Sequence, residues 1–171
     1  VPVGSAWHGE PVSDAVSTLC QSCGLCCDGT LFAFVTLTAA EAESLHERDL
    51  AIESRANGVF RLHQRCGALR GKTCSVYERR PAACSAYVCL LAQALAQGEV
   101  GLAEARELVE GAHARLASVR AHLPGIDGSP VPHVRRSMSG EAPVLDDDAA
   151  SAWIDAREYL RRHFIGRQGM S

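Results

Sequence analysis

The chain predicts a mostly α fold, a single domain with a small cysteine-rich region and a short β-hairpin. Three observations carry this. Four cysteines crowd into the eight residues Cys20 to Cys27, and four more follow at Cys66, Cys74, Cys84 and Cys89. Leu102 to Leu123 repeats its apolar residues at three and four, the spacing of one buried helix face. Two short apolar stretches, Leu31 to Leu37 and Val59 to Leu62, have the length and residue types of paired strands.

The chain has 171 residues, 47% of them hydrophobic and 22% charged, which suits one domain with a core of its own. The formal net charge is -3, and Arg79-Arg80 and Arg135-Arg136 are isolated basic pairs, read as solvated or salt-bridged. Nucleic-acid binding is not expected, because it draws its affinity from a clustered basic surplus. No apolar run reaches the roughly 20 residues that span a bilayer. Val1 to Asp14 has neither the basic nor the apolar segment of a secretory signal, so no membrane association and a cytoplasmic location are expected.

Three regions follow in order. Residues 1–19 form an N-terminal arm, with a helical turn near Asp14 to Leu19 and Trp7 available to pin it. Residues 20–98 form the cysteine region, which opens with Cys20 to Cys27 as a loop. Thr38 and Glu41 make a capping box for a helix from about Ala39 to Arg55, closed by Asn57-Gly58. Cys66 to Cys74, with Gly67 and Gly71, is read as an irregular loop. A helix then starts at Pro81, with Cys84 in its first turn, and runs to Gly98.

Residues 99–171 form a helical tail packed as part of the same domain. Its first helix, Leu102 to Leu123, stops at Pro124. Residues 124–146, with four prolines and three glycines, are read as a long loop. The acidic run Asp146 to Asp148 opens a last helix that buries Trp153, Ala156, Leu160 and Phe164.

The cysteines carry the chemistry. Disulfide scaffolds are mostly small secreted domains without a core, and a bond between neighbours such as Cys26 and Cys27 would be strained, so metal ligation is the better reading. Thiolates select zinc, copper(I) and iron–sulfur clusters. Cys20, Cys23 and Cys26 reproduce the C-x2-C-x2-C start of a ferredoxin run, although Cys27 follows where that run has a three-residue gap. Inward amides at Gly24 and Leu25 would bond cluster sulfurs.

Zinc competes, with Cys20 and Cys23 as one knuckle and Cys84 with Cys89 as a wider second. Cys26 and Cys27 project differently and suit two metals, or two corners of one cluster. Cys84 and Cys89 lie about 140° apart on a regular helix, so they do not face one metal from it. His63 is a weaker ligand candidate. Tyr77 and Tyr87 are read as packing around the later cysteines. No nucleotide-binding or hydrolase motif is present.

The order Cys20-x2-Cys23-Gly24-x-Cys26-Cys27, Thr36-Leu37-Thr38 with Glu41, Cys66-x-x-Leu69, and Cys74-x-x-Tyr77-x-x-Arg80-Pro81-x-x-Cys84 resembles the YkgJ-like cysteine-cluster family, described as a zinc- or iron-chelating domain. The resemblance spans roughly residues 20 to 90. It departs at Ser85, where family members usually carry Arg. It implies chelation by Cys20, Cys23, Cys26, Cys27, Cys66, Cys74 and Cys84, with Cys89 as an extra ligand. Flagellin lysine N-methylases carry a related cluster, but this chain is much shorter.

Three functions follow as expectations. One is an iron–sulfur protein, with one [4Fe–4S] cluster and room for a second metal, in a redox role or accessory to a modifying enzyme. The second is a zinc-stabilised module that presents a surface to a protein partner. The third is a small cluster-dependent enzyme using S-adenosylmethionine, with His133, Arg135 and Arg136 on a lid formed by the 124–146 loop.

Overall fold

The computed structural model describes residues 14–46 and 50–165. The arm residues Trp7 and His8 lie outside them. The elements in chain order are α1 (Asp14–Cys23), β1 (Phe34–Leu37), α2 (Ala39–His46), β2 (Ile52–Ser54), β3 (Phe60–His63), β4 (Leu69–Arg70), β5 (Thr73–Cys74), α3 (Ala82–Ala86), α4 (Leu90–Ala96), α5 (Leu102–Ala121), α6 (Val131–Met138) and α7 (Asp147–Leu160). A short 3-10 turn precedes α3, and a π-helical turn (Arg161–Ile165) extends α7. The fold is mostly helical with small sheets, as the sequence predicts.

The helices form the larger half. The stripe on α5 buries Ala105, Val109, Ala112, Leu116 and Val119 against α7, which buries Ala149, Trp153, Ala156 and Leu160. Asp146 caps α7 by accepting the Ala149 amide at 2.7 Å. Helix α1 lays Val16 and Leu19 on this core and packs against α4 and α5.

The 124–146 stretch is not a structureless loop. Its middle forms α6, whose Val131 and Val134 are buried in the helical core. Four prolines argue against a helix, but two of them, Pro130 and Pro132, sit at its start, where a missing amide hydrogen costs nothing. A helix buried on one face is not a free lid.

The smaller half is a three-stranded antiparallel sheet in the order β1-β3-β2. Val35 pairs with Leu62, and both strands turn apolar residues onto Ala42 and Leu45 of α2. The expected partners do pair, but α2 is shorter than the sequence suggests. It ends at His46, and Ile52–Ser54 is a strand. Leu50 and Ile52 break the helical spacing, and Asn57-Gly58 turns the β2–β3 hairpin rather than ending a helix. Arg55 N–H donates to Val59 O at 2.9 Å, Gly58 N–H donates to Arg55 O at 3.0 Å, and Gly58 takes φ +74°.

Candidate metal centre

The first cysteines stand on a helix, not a loop. Cys20 and Cys23 lie three apart in the last turns of α1, on one face. Gly24 ends the helix at φ +73°, and a Cβ there would sit 3.1 Å from the Lys72 Cα and carbonyl oxygen. Only glycine lets this turn press against the β4–β5 hairpin backbone. The turn is tight, with Asp28 N–H donating to Gly24 O at 2.9 Å and Leu31 N–H to Leu25 O at 3.1 Å. It presents Cys26 and Cys27 in succession. The Leu25 amide bonds the Cys23 sulfur, while its side chain is fully buried in the helical core.

The expected helix from Pro81 to Gly98 is interrupted. Tyr87 and Cys89 are extended, so Cys84 stays on α3 and Cys89 becomes the N-cap of α4, its sulfur accepting the Ala92 amide at 3.4 Å. The break puts the two cysteines on different elements, so the offset of about 140° on a single regular helix no longer fixes their directions.

Backbone bonds gather the other cysteines. Cys66 N–H donates to Cys27 O at 2.8 Å. Cys74 pairs with Leu69 in the β4–β5 hairpin, and Ser75 donates both its amide (2.9 Å) and its hydroxyl (2.8 Å) to Ala68 O. The stretch expected as an irregular loop is thus a small hairpin. Cys84 arrives on α3, which packs against β1. Glu41 sets that helix: one carboxylate oxygen accepts the Thr38 amide at 2.8 Å, and the other accepts the Ala82 amide at 2.7 Å. The capping box of α2 therefore also caps the first turn of α3.

All eight cysteines are free thiols, and all eight line one cavity of about 120 Å3. Cys20 is exposed at its rim and Cys66 is buried. Burial is the first cause of most thiol shifts. It pushes Cys20 up to about 11, with Cys89 adding and Arg80 opposing. It pushes Cys23 up to about 12 against the Leu25 amide, with Cys89 and Cys20 adding. Cys26 is raised by burial and by Cys23, Cys89, Cys20 and Cys84 in that order. Cys84 is pushed up to about 11 by burial, then by Cys66 and Cys74. Cys27 and Cys74 share a hydrogen bond, which raises the Cys27 thiol and lowers that of Cys74.

Among the described residues no three His, Cys, Asp or Glu side chains converge closely enough to hold an ion as they stand. The thiols ring the cavity, and ligation requires them to turn inward. The donor chemistry fits a thiophilic metal in three respects. All eight cysteine residues line one cavity. Backbone amides are already aimed at four of them: Leu25 at Cys23, Ala68 at Cys66, Val76 at Cys74, and Leu91 and Ala92 at Cys89. Such bonds stabilise thiolate charge and tune bound metals. Finally, Tyr77 Oη and Gln64 Oε1 are buried without a hydrogen-bond partner in residues that line the cavity.

The places of Arg80 and His113 escape the sequence reading, whereas Tyr87 packs near the cysteines as expected. Arg80, expected to be solvated or salt-bridged, lies over the Tyr77 ring at 3.8 Å and lowers the Cys20, Cys74 and Cys84 thiols. Tyr87 meets Phe32 edge-on at 5.0 Å and stands near Cys26, Cys89 and Cys23. His113 of α5 hydrogen-bonds Cys23 O through Nε2 at 2.8 Å, tying the helical core to the end of α1. His63 instead pairs with Glu53 on the sheet surface. The Arg80-Pro81 pair inside the cysteine box was the available signal for Arg80. His113 had none, since it lies 90 residues from its partner.

No helix among the described residues is long and apolar enough to cross a membrane. No curated protein and no solved structure matches the chain. Residues 19–102 match the model of a family described as "CxxCxxCC: Putative zinc- or iron-chelating domain". That span contains all eight cysteines and ends at the start of α5, so the similarity to the CxxCxxCC family covers the whole cysteine-bearing part of this chain.

Proposed function

We propose that the chain is an iron–sulfur protein with a redox role, or one accessory to a modifying enzyme. The observation that supports this best is that the C-x2-C-x2-C run lines the cavity, with the Leu25 amide already directed at the Cys23 sulfur. A cluster held there supplies one-electron transfer, at a potential set by N–H···S bonds and exposure. The residues around it have distinct duties. Gly24 permits the close turn, Glu41 and His113 position the segments that carry Cys84 and Cys23, and Arg80 offsets thiolate charge. Anaerobic purification tests the reading: brown protein with iron and acid-labile sulfide is expected. Colourless protein with stoichiometric zinc would overturn it.

A zinc-stabilised interaction module is the second reading. It is favoured by the small core of the sheet half, where Cys66 is itself a core residue. In that case stripping the metal unfolds the sheet half, because the free energy of a structural zinc site is folding free energy.

A further inference from the structure

We infer that the eight cysteines form two four-thiolate centres, one from Cys20, Cys23, Cys26 and Cys89 and the other from Cys27, Cys66, Cys74 and Cys84, each taking its own thiophilic ion or cluster. The inference rests on the chelation reading above and divides its site.

Backbone placement draws the division. Cys20 and Cys23 share a face of α1, which packs against α4, and Cys89 caps α4. Cys23 and Cys89 pack on the helical core, whereas Cys27, Cys66 and Cys84 pack on the sheet core. The Cys66-to-Cys27 backbone bond and the Leu69–Cys74 pairing gather three members of the second group by bonds outside α1 and α4, while β5, which carries Cys74, also packs against α1. Cys26 completes the C-x2-C-x2-C run that Cys20 and Cys23 begin on α1.

The amides aimed at sulfur are also shared evenly. Cys23 and Cys89 receive them in the first group, Cys66 and Cys74 in the second. Four thiolates close the shell of a tetrahedral ion or supply every corner of a cubane, so each group is complete alone. The adjacent pair Cys26-Cys27 is then explained, since the chain crosses from one centre to the other at that peptide bond.

The test is titration of the full reduced chain with Zn2+ alone, read by native mass spectrometry. The wild type should stop at two ions per chain. C20S/C23S and C66S/C74S should each stop at one, and the crossed pair C23S/C74S, which leaves three thiolates in each group, should hold both ions more weakly than the wild type. A single ion in the wild type, three or more ions, or complete loss on emptying either group would overturn the division. If a variant does not fold, Co2+ titration of the wild type decides. Thiolate-to-cobalt absorption should rise linearly to two equivalents at four-thiolate intensity per ion. A break at one equivalent, or lower intensity, counts against two centres. A wild type that takes up no metal at all overturns the chelation reading and this division together, whereas uptake that does not divide overturns the division alone.

Discussion

The helical half and the sheet half are stabilised by different means. Among the described residues the helical core buries nineteen side chains, including Phe164, Leu25 and Leu160. The sheet core buries eight, of which one is a cysteine and two are alanines. At about 1.5–3 kcal/mol for each fully buried large apolar side chain, the first core can order its backbone and the second is marginal. Small domains in that position use staples, and under the proposed division the thiols of Cys27, Cys66, Cys74 and Cys84, all free, would supply one here through a bound metal. The two halves therefore differ in what holds them together, and perturbing each should show it.

The largest contrast should follow metal removal. Loaded protein treated with a strong chelator under reducing conditions should lose amide-exchange protection over β1 to β3 and over residues 66–84. It should keep protection across α5 and α7. Structural zinc in small peptides is worth about 10–16 kcal/mol, so the loss should be near complete in the sheet half. Equal loss in both halves, read by hydrogen-exchange mass spectrometry, would erase the distinction.

Leu116→Ala attacks the other side. Leu116 is buried between α5 and its neighbours. Truncation should cost about 2–5 kcal/mol in chemical denaturation while leaving metal stoichiometry unchanged. A change in stoichiometry would mean that the helical core builds the site rather than merely supporting it.

Gly24→Ala acts where the halves meet. A non-glycine residue at positive φ costs about 1–2 kcal/mol, and the added methyl meets the Lys72 backbone. Both the melting temperature and metal uptake should fall. A drop in stability alone would separate the turn from the site.

The smallest effect concerns Glu41. The Ala82 amide first, and then Thr38, hold its carboxyl below the ordinary carboxylate value. Its contribution is therefore complete above the ordinary value of 4.5 and is lost as pH falls through the lowered one. Glu41→Gln should cost about 1 kcal/mol at neutral pH. The gap from wild type should narrow in acid, as followed by thermal melts across pH. A gap that does not depend on pH would show that the charge is not what positions α3.

What the sequence made legible follows the reach of each signal. The stripe on α5 and the capping box at Thr38 and Glu41 are local patterns, and both appear in the structure where residue spacing puts them. Asn57-Gly58 is a local signal with two meanings, a helix end or a hairpin turn. Pairing of β2 with β3, a tertiary choice, decides between them. Residues 124–146 misled because prolines were read as breakers when two of them start a helix. The cysteines identified the site from composition and spacing. The grouping proposed above does not show there, because it rests on the packing of α1 on α4, which Cys89 caps, and on the backbone bond from Cys66 to Cys27.

The peptide bond between Cys26 and Cys27 has a thermodynamic consequence if the site divides there. Neighbouring Cα atoms are held about 3.8 Å apart, so ordering one residue restricts the other. A metal that fixes Cys26 thereby removes part of the conformational freedom Cys27 would otherwise lose on ligation. The second loading then meets a smaller entropic cost than the first, and the coupling is reciprocal. Metal uptake by this chain should be positively cooperative for a mechanical reason, with the shortest possible linker between the two events.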